Sequence, residues 1–442
     1  MVAHGRADGQ SLIQVQVDGL NDDGLGVARV DGKVVFIDNA LPGETVRYRP
    51  QRRRRRYDTG QAVEWIERSP ERVTPRCEYF GVCGGCAMQH LAAEAQIEYK
   101  QQHLLDSLHR IGGVEPDREL PPLVGPVWGY RRKARLGIRY VPKKGGVLLG
   151  FREKRKSYIT SLDHCDVLDP TIAQLLVPLR QLIAALSCYD RLPQVEIAVG
   201  DDDRALVFRH LLLLTDADRA HLEAFAHKHN VQVYVQSGNL ESVRPLWPTN
   251  PNLLTYALDE FHVTNRFAPT DFIQVNADLN RDLVRVAVDW LAPTRDEQVL
   301  DLFCGIGNFT LPLARRAGRV TGVEGAAALI DRARDNARHN GLANVNFEVA
   351  DLGEPGLTAM WLKVHYAKIL LDPPRSGAIE VLKRIPALCP ERIVYVSCNP
   401  QTLARDAELL VRKSGFRLLA AGVIDMFPHT AHVESMAVFE PR

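Results

Sequence analysis

The amino-acid sequence predicts a multidomain fold: a small β-barrel, a mixed α+β domain and a doubly wound α/β domain. Three observations support this prediction. A chain of 442 residues is too long for one hydrophobic core. Residues 11–67 alternate apolar and polar positions in short runs, which is typical of small antiparallel barrels. Residues 298–397 repeat a strand-then-helix pattern, which is typical of a parallel sheet covered by helices.

The segments between these two patterns follow in order. Residues 69–90 are rich in Pro, Gly and Cys, residues 91–113 have the pattern of an amphipathic helix ending at two glycines, and residues 116–126 form a Pro-rich connector. Residues 128–262 mix strand and helix patterns, and two strands without an intervening helix follow residue 415. We therefore expect the following division: a barrel at 9–69, a central α+β domain at 70–92 and 128–264, and an α/β domain at 93–127 and 265–442.

Composition excludes several classes of protein. Hydrophobic residues make up 45% and charged residues 25% of the chain, as in ordinary folded proteins. The sequence contains no apolar run of the roughly 18 to 20 residues that a membrane span needs, and its first residues lack the apolar core of a signal peptide. We expect a cytoplasmic protein that does not associate with membranes.

The net charge of +1 conceals two strongly basic runs. Residues 47–56 contain seven arginines and no acidic residue, and residues 131–156 contain eleven Lys or Arg against the single Glu153. One such run is often only a solvated face. Two runs, both interleaved with apolar strand-like residues, favour a phosphate-binding surface.

The first candidate site is the stretch "VLDLFCGIGNFT", in which Gly305 and Gly307 follow a predicted strand and precede a helix. Glycines at this point allow the backbone to approach a ligand. The next strand ends in Glu324, where an acid can bind both hydroxyls of a ribose, and the third leads to Asp351, which can face an adenine edge. A third glycine is absent, which argues against NAD.

Two further motifs follow the fourth and fifth predicted strands. The "DPPRSG" segment contains Asp372, which can accept hydrogen bonds from a substrate or cofactor, and Arg375, which can reach a phosphate or base. Cys398 stands at the end of the fifth strand, immediately before Asn399 and Pro400. A buried, inert thiol is the commonest interpretation of a single cysteine, so neighbouring motifs have to decide its role.

Those motifs carry a family resemblance. "DLFCGIGNFT", "VTGVE" and "ILLDPPRSG" resemble the S-adenosylmethionine site of class I methyltransferases. Together with "FIQVN", "YVSCNPQTLARD" and "FPHTAHVES", they resemble the RNA uracil-5-methyltransferase family. The resemblance implies that Cys398 adds to carbon 6 of uracil and that Glu434 removes the proton from carbon 5. It also implies a ring near the target base at Phe272 and cofactor contacts at Gln274, Phe303, Gly305, Asn308, Glu324, Asp351 and Asp372.

A cluster of cysteines, Cys77, Cys83 and Cys86, lies within "CEYFGVCGGC", with Cys165 as the candidate fourth ligand. Ligand chemistry alone allows either zinc or an iron–sulfur cluster. The spacing resembles the 4Fe-4S site in the 23S rRNA branch of the family, which implies a structural cluster.

The N-terminal barrel resembles a TRAM domain, an RNA-binding module. Barrel and cysteines together imply a uridine in 23S rRNA as substrate, swung out of its stack to reach the thiol. Arg131, Arg132 and Lys133 of the second basic run are candidate RNA contacts, and we infer no obligate protein partner.

Three alternatives remain open at this point. The first is a tRNA uracil-5-methyltransferase, although tRNA-specific members resemble the catalytic half without barrel or cysteines. The second is an RNA cytosine-5 methyltransferase, but such enzymes usually have a cysteine in the fourth-strand loop, where this chain has "DPPRSG". The third is an RNA-binding protein with an inactive methyltransferase domain, which the intact glycine loop, Cys398 and Glu434 argue against.

Overall fold

The computed structural model describes residues 11–442. Contacts divide the described residues into two compact units: one comprises residues 11–98 together with 429–432, and the other comprises residues 99–428 and 433–442. The three-domain division expected from the sequence remains a prediction. In the part of the chain that the structure describes, no helix has the length and apolar character needed to cross a membrane.

The first unit contains a six-stranded sheet with the order β1-β5-β6-β4-β3-β2. Alternating residues of several strands pack into one core that includes Val17, Ala28, Ile37, Val46 and Ala62, so the sheet curves around them. Its strands are β1 (Ile13–Gln16), β2 (Gly19–Leu20), β3 (Gly26–Val30), β4 (Lys33–Asp38), β5 (Thr45–Arg53) and β6 (Tyr57–Glu67).

The sheet is antiparallel, as expected for a small antiparallel barrel, except at one pair of strands. Strands β4 and β6 pair in parallel, with Val34 opposite Tyr57. The chain reverses twice between these strands, once between β4 and β5 and once at the β5–β6 hairpin, so β6 runs in the same direction as β4.

The helix expected over residues 91–113 is present as α1 (Ala93–Ser107), which continues as a π-helical turn, Leu108–Gly112. Gly113 closes it with a φ of +59°, in the left-handed region that glycine adopts without a Cβ penalty. The Pro-rich connector contributes a two-residue strand, β7 (Arg118–Glu119), which pairs with a later strand of the α/β sheet.

The second unit contains a mixed sheet with the order β13-β12-β11-β10-β8-β9, as the α+β prediction requires. Two helices, Pro170–Ala173 and Leu176–Ala185, are separated by a turn at Gln174 and Leu175. The elements are β8 (Lys133–Val141), β9 (Gly146–Gly150), α2 (Pro170–Ala173), α3 (Leu176–Ala185), β10 (Gln194–Val199), β11 (Arg204–Arg209), α4 (Asp216–His229), β12 (Gln232–Gln236) and β13 (Val243–Trp247).

A hairpin and a long helix lead to the last sheet. Strands β14 (Leu254–Leu258) and β15 (Val263–Phe267) pair antiparallel, and α5 (Ala277–Leu291) follows. Asn276 caps α5, since its side chain accepts a hydrogen bond from the backbone of Leu279. The buried face of α5 joins the hairpin and the α/β sheet in one continuous core.

The α/β sheet has the order β18-β17-β16-β19-β20-β22-β21-β7. Strands β16 to β20 run parallel, and β22 inserts antiparallel between β20 and β21, which confirms the predicted parallel sheet with a closing hairpin. The elements are β16 (Gln298–Leu302), α6 (Thr310–Arg316), β17 (Arg319–Glu324), α7 (Ala327–His339), β18 (Val345–Val349), β19 (Lys368–Leu371), α8 (Ile379–Leu382), β20 (Arg392–Ser397), α9 (Pro400–Glu408), β21 (Phe416–Ile424) and β22 (Glu434–Pro441).

Candidate active site

The loop after β16 has a strongly turned backbone. Phe303, Gly305 and Gly307 all have positive φ, at +64°, +53° and +95°. At the end of β17 the Glu324 carboxylate accepts hydrogen bonds from Gly305 N at 3.3 Å and from Ala326 N at 3.0 Å. The structure therefore brings the glycine loop and Glu324 together at the carboxyl edge of the sheet, where ligands of such folds bind.

Behind this loop lies a polar network that the sequence did not reveal. The side chains of Asn308 and Asn280 exchange two hydrogen bonds of 3.0 Å, and the Tyr256 hydroxyl donates to Asn308 Oδ1 at 2.9 Å. Gln274 lines a small cavity beside Tyr256 and Asn280. The Asn308 side chain thus fixes the loop to α5 and β14. The signal in the sequence was Asn280, a polar residue on the apolar face of α5.

A second unpredicted group is the wholly buried Asp301 of β16. Its Oδ2 accepts a 2.5 Å hydrogen bond from the Thr310 hydroxyl at the start of α6. Burial raises the pKa of Asp301 to about 8, with Asp372 and Glu324 adding to the rise and the Thr310 hydrogen bond opposing it. This contact ties the strand before the glycine loop to the helix after it.

The thiol of Cys398 follows β20 and lies next to the "DPPRSG" loop, as expected for adjacent parallel strands. Asn399 caps α9 by accepting from Gln401 N at 3.0 Å, and its amide donates to the Arg375 carbonyl at 3.3 Å. Thr402 donates to the same carbonyl at 3.2 Å. The turn after Cys398 therefore fixes the loop that holds Asp372 and Arg375.

Glu434 reaches the same edge from the opposite strand direction. It is the first residue of β22, and in the ladder between β20 and β22 Ser397 lies opposite Ser435. Continuing this antiparallel register by one residue places Cys398 opposite Glu434. Both side chains are half-buried.

These neighbouring groups change one another's ionisation. Burial raises the pKa of Cys398 to about 11, and the Glu434 and Asp372 carboxylates add to this while Arg375 opposes it. Burial raises the pKa of Glu434 to about 8, with Asp372 adding and with Arg375 and Lys100 opposing. Burial raises the pKa of Asp372 to about 7. A thiol on this sheet edge can support nucleophilic addition, and a carboxyl beside it whose pKa is close to neutral can support proton abstraction.

Other predicted site residues have simpler surroundings. Phe272 is 69% exposed, as a side chain that stacks on a ligand would be. Asp351 is exposed, and its Oδ1 accepts from Gly353 N at 2.9 Å. The roles assigned to both residues remain predictions.

The candidate RNA contacts at the start of β8 make internal contacts. Arg131 donates to the Lys133 carbonyl at 3.1 Å. Arg132 forms a 2.5 Å ion pair with Asp201. The Lys133 ammonium donates to the Asp271 carbonyl, and burial lowers the pKa of Lys133 to about 8. In the rest of that run Arg139, Lys143, Arg152, Arg155 and Lys156 are exposed.

The first three predicted metal ligands lie on the segment between β6 and α1. Cys77 and Cys86 are half-buried and Cys83 is buried, as is Cys165 in the other unit. Among residues 11–442, no group of three or more His, Cys, Asp or Glu side chains is arranged to hold a metal ion. The metal assignment therefore remains a prediction from the sequence.

The fold and the site are those of an S-adenosylmethionine-dependent methyltransferase. The sheet is parallel with one inserted antiparallel strand, a turned glycine loop follows β16, and a carboxylate stands at the end of β17. Comparisons with known proteins agree. Residues 254–442 match the family described as tRNA (Uracil-5-)-methyltransferase, and residues 11–63 match the TRAM domain.

Relatives that align with nearly the whole chain identify the branch of the family that it resembles in sequence and length. The chain is 52% identical over 427 residues to 23S rRNA (uracil(1939)-C(5))-methyltransferase RlmD of Alkalilimnicola ehrlichii, covering 97% of this chain and 96% of that protein. It is 50% identical to the RlmD of Xylella fastidiosa, covering 100% of both. The chain belongs to this RlmD family of uracil-C5 methyltransferases.

A solved structure shows the same architecture. The tRNA (uracil-54, C5)-methyltransferase of Pyrococcus abyssi, in complex with S-adenosyl-L-homocysteine, superposes with a TM-score of 0.73 at 26% identity, covering 97% of this chain and 100% of that one.

Proposed function

We propose that this protein methylates carbon 5 of a uridine in 23S rRNA, of the position-1939 type named in its relatives, and that it acts in the cytoplasm. The observation that carries the proposal is the placing of Cys398 and Glu434 on adjacent ends of β20 and β22. Uracil needs such a pair, because carbon 5 is too weak a nucleophile until a thiolate has added to carbon 6.

The chain's own residues perform most of the reaction. The Cys398 thiol gives its proton to water and its sulfur bonds to carbon 6, which moves the electron pair of the carbon 5–carbon 6 double bond into an enolate. S-adenosylmethionine supplies the methyl group that carbon 5 attacks, leaving S-adenosylhomocysteine. Glu434 then takes the proton from carbon 5, the double bond re-forms and the carbon 6–sulfur bond breaks.

Binding is assigned as follows. The glycine loop, Glu324 and Asp372 are proposed to contact the cofactor, together with Gln274, Phe303, Asn308 and Asp351. The exposed ring of Phe272 is proposed to stack on the target base after it has left the RNA stack. Arg375 and the exposed part of the basic run 131–156 are proposed to bind the surrounding phosphates.

We also propose that Cys77, Cys83, Cys86 and Cys165 hold a structural 4Fe-4S cluster. The support is the crowding of three thiols on one segment, since four thiolates are the ligands that such clusters use. Methyl transfer needs no electron transfer, so the cluster would stabilise the fold. Elemental analysis of anaerobically purified protein tests this: iron with acid-labile sulfide is expected, and zinc without iron would contradict it.

Activity is tested with radiolabelled cofactor on unmodified 23S rRNA fragments and on tRNA. Label is expected in rRNA as 5-methyluridine, and label in tRNA alone would overturn the substrate assignment. Cys398→Ala should abolish transfer, whereas Glu434→Gln should accumulate a covalent RNA–protein adduct that carries the methyl group. The exposed Cys389 provides the matched control, because Cys389→Ser should retain activity. Normal turnover by the Glu434→Gln enzyme would assign the base elsewhere.

A further inference from the structure

The second unit contains a buried lysine that the proposed reaction does not use. Lys100 of α1 is completely buried. Its Nζ donates to Asp425 Oδ1 at 2.6 Å and to the Phe427 carbonyl at 3.1 Å. Both members of this ion pair are shielded from water, since their side chains are 0% and 4% exposed. Burying a charged pair is costly, so its position calls for an explanation.

The pair lies directly beside the strand end that presents Glu434. Asp425 follows Ile424, the last residue of β21, and Ile424 lies opposite Glu434 in the ladder between β21 and β22. The neighbouring Gln101 accepts from Val423 N at 3.1 Å, and Asp425 N donates to the Leu123 carbonyl at 2.9 Å. Side chains of helix α1 therefore form hydrogen bonds with every second residue, 423, 425 and 427, at the strand end that pairs with Glu434.

Four titratable or charged groups on three elements face Glu434. Asp372 and Arg375 lie on the loop after β19, and the Cys398 thiol lies on the end of β20. Lys100 faces it from α1, and its positive charge favours the ionised carboxylate, as Arg375 does. Burial lowers the pKa of Lys100, and the Asp425 carboxylate, which holds the ammonium in place, opposes this shift, as does Glu434. Arg375 is exposed and its side chain can turn toward solvent, whereas the side chain of Lys100 is enclosed by protein.

We propose that Lys100 is a positioning residue for Glu434: through Asp425 and the Phe427 carbonyl it fixes the strand end that presents the carboxylate, and its charge keeps that carboxylate able to accept a proton. This inference rests on the proposed function of Glu434 as the base. Lys100 does not contact the reacting atoms and acts only through Glu434.

The measurement is the decay of the methylated RNA–protein adduct in a single turnover, followed by denaturing electrophoresis as a function of pH. This step isolates proton removal from carbon 5. Below the pKa of Glu434 the decay rate falls with decreasing pH, which gives an acid limb. Lys100→Met removes the favourable charge, so the limb should move to higher pH by about one unit, and decay below the limb should be about tenfold slower.

Two further variants separate charge from structure. Lys100→Met leaves Asp425 buried without its partner and can weaken the fold, so the double variant Lys100→Met with Asp425→Asn removes both charges. We expect the double variant to regain thermal stability and to keep the displaced limb. A limb that returns to the wild-type position in the double variant would reduce Lys100 to a structural role and overturn the proposal.

The control is Lys383→Met, an equal change of net charge at an exposed lysine that pairs with Glu380. Its limb should coincide with that of the wild type, and a Lys100→Met limb that also coincides would overturn the proposal. Failure of the proposed function gives a different result, because Glu434→Gln would then turn over normally or form no adduct at all.

Discussion

Neutralising Glu434 should change the reactivity of Cys398, and only at alkaline pH. The pKa of the Cys398 thiol is about 11, against an ordinary value of 9.0, because burial and then the Glu434 and Asp372 carboxylates disfavour the thiolate. The pKa of Glu434 is itself about 8. Glu434 is therefore mostly ionised only above about pH 8, and only in that range does replacement by Gln remove a negative charge.

The size of the effect follows from these two values. At about pH 9 a thiol with a pKa of about 11 is ionised in about one molecule in a hundred. Loss of one nearby negative charge lowers such a pKa by about one unit, which raises the thiolate fraction about tenfold. Because a less basic thiolate is also a weaker nucleophile, the net gain in the rate of alkylation is about threefold. At about pH 7 Glu434 is largely protonated, so Glu434→Gln should leave the rate unchanged.

Iodoacetamide labelling measures this directly in the RNA-free protein. Mass spectrometry quantifies the labelled Cys398 peptide with time, and the exposed Cys389 in the same sample serves as the internal standard. The expected result is a faster rate in Glu434→Gln at the alkaline pH alone. An equal gain at both pH values, or none at either, would refute the electrostatic coupling between the two side chains.

Three further predictions concern stability, and each is measured by urea-induced unfolding. Asn308→Ala should lower the free energy of unfolding by about 1 to 3 kcal/mol, because the buried Tyr256 hydroxyl and Asn280 amide lose their partner; an unchanged value would mean that the network contributes nothing. Phe208→Ala should cost about 3 to 5 kcal/mol, since the ring is completely buried in β11, whereas the 88% exposed Leu213 should tolerate Ala almost without cost. Gly60→Ala should cost about 1 to 3 kcal/mol, because the new Cβ would lie 2.9 Å from the Arg49 carbonyl oxygen and against the Tyr48 ring; wild-type stability would show that β5 can shift to make room.

The order of elements in the α/β domain was predictable, because strand and helix periodicities differ and glycines mark the turn after β16. The direction of pairing between β4 and β6 was not, since alternation reports which face is buried and says nothing about the neighbouring strand. Cys398 and Glu434 could be named from motifs, but their adjacency depends on β22 inserting beside β20.

Lys100 shows what a closer examination of the pattern could have found. It lies four residues before Leu104 and eight before Leu108, both buried, so it belongs to the buried stripe of its helix. A lysine on such a stripe indicates a buried partner. That partner, Asp425, lies 325 residues away in the sequence, so only the structure could identify it.

The insertion of β22 between β20 and β21 also has a consequence for biosynthesis. Strand β20, which ends next to Cys398, gains its second neighbour only after residues 434–441 have been synthesised. Until then a strand that is buried from Ile393 to Ser397, with Val394 and Val396 in its centre, has an open edge able to pair with another chain. A nascent chain that stalls between residues 397 and 434 would therefore lack the proposed base and be prone to aggregation, and the same step that adds Glu434 protects the strand that precedes the proposed nucleophile, Cys398.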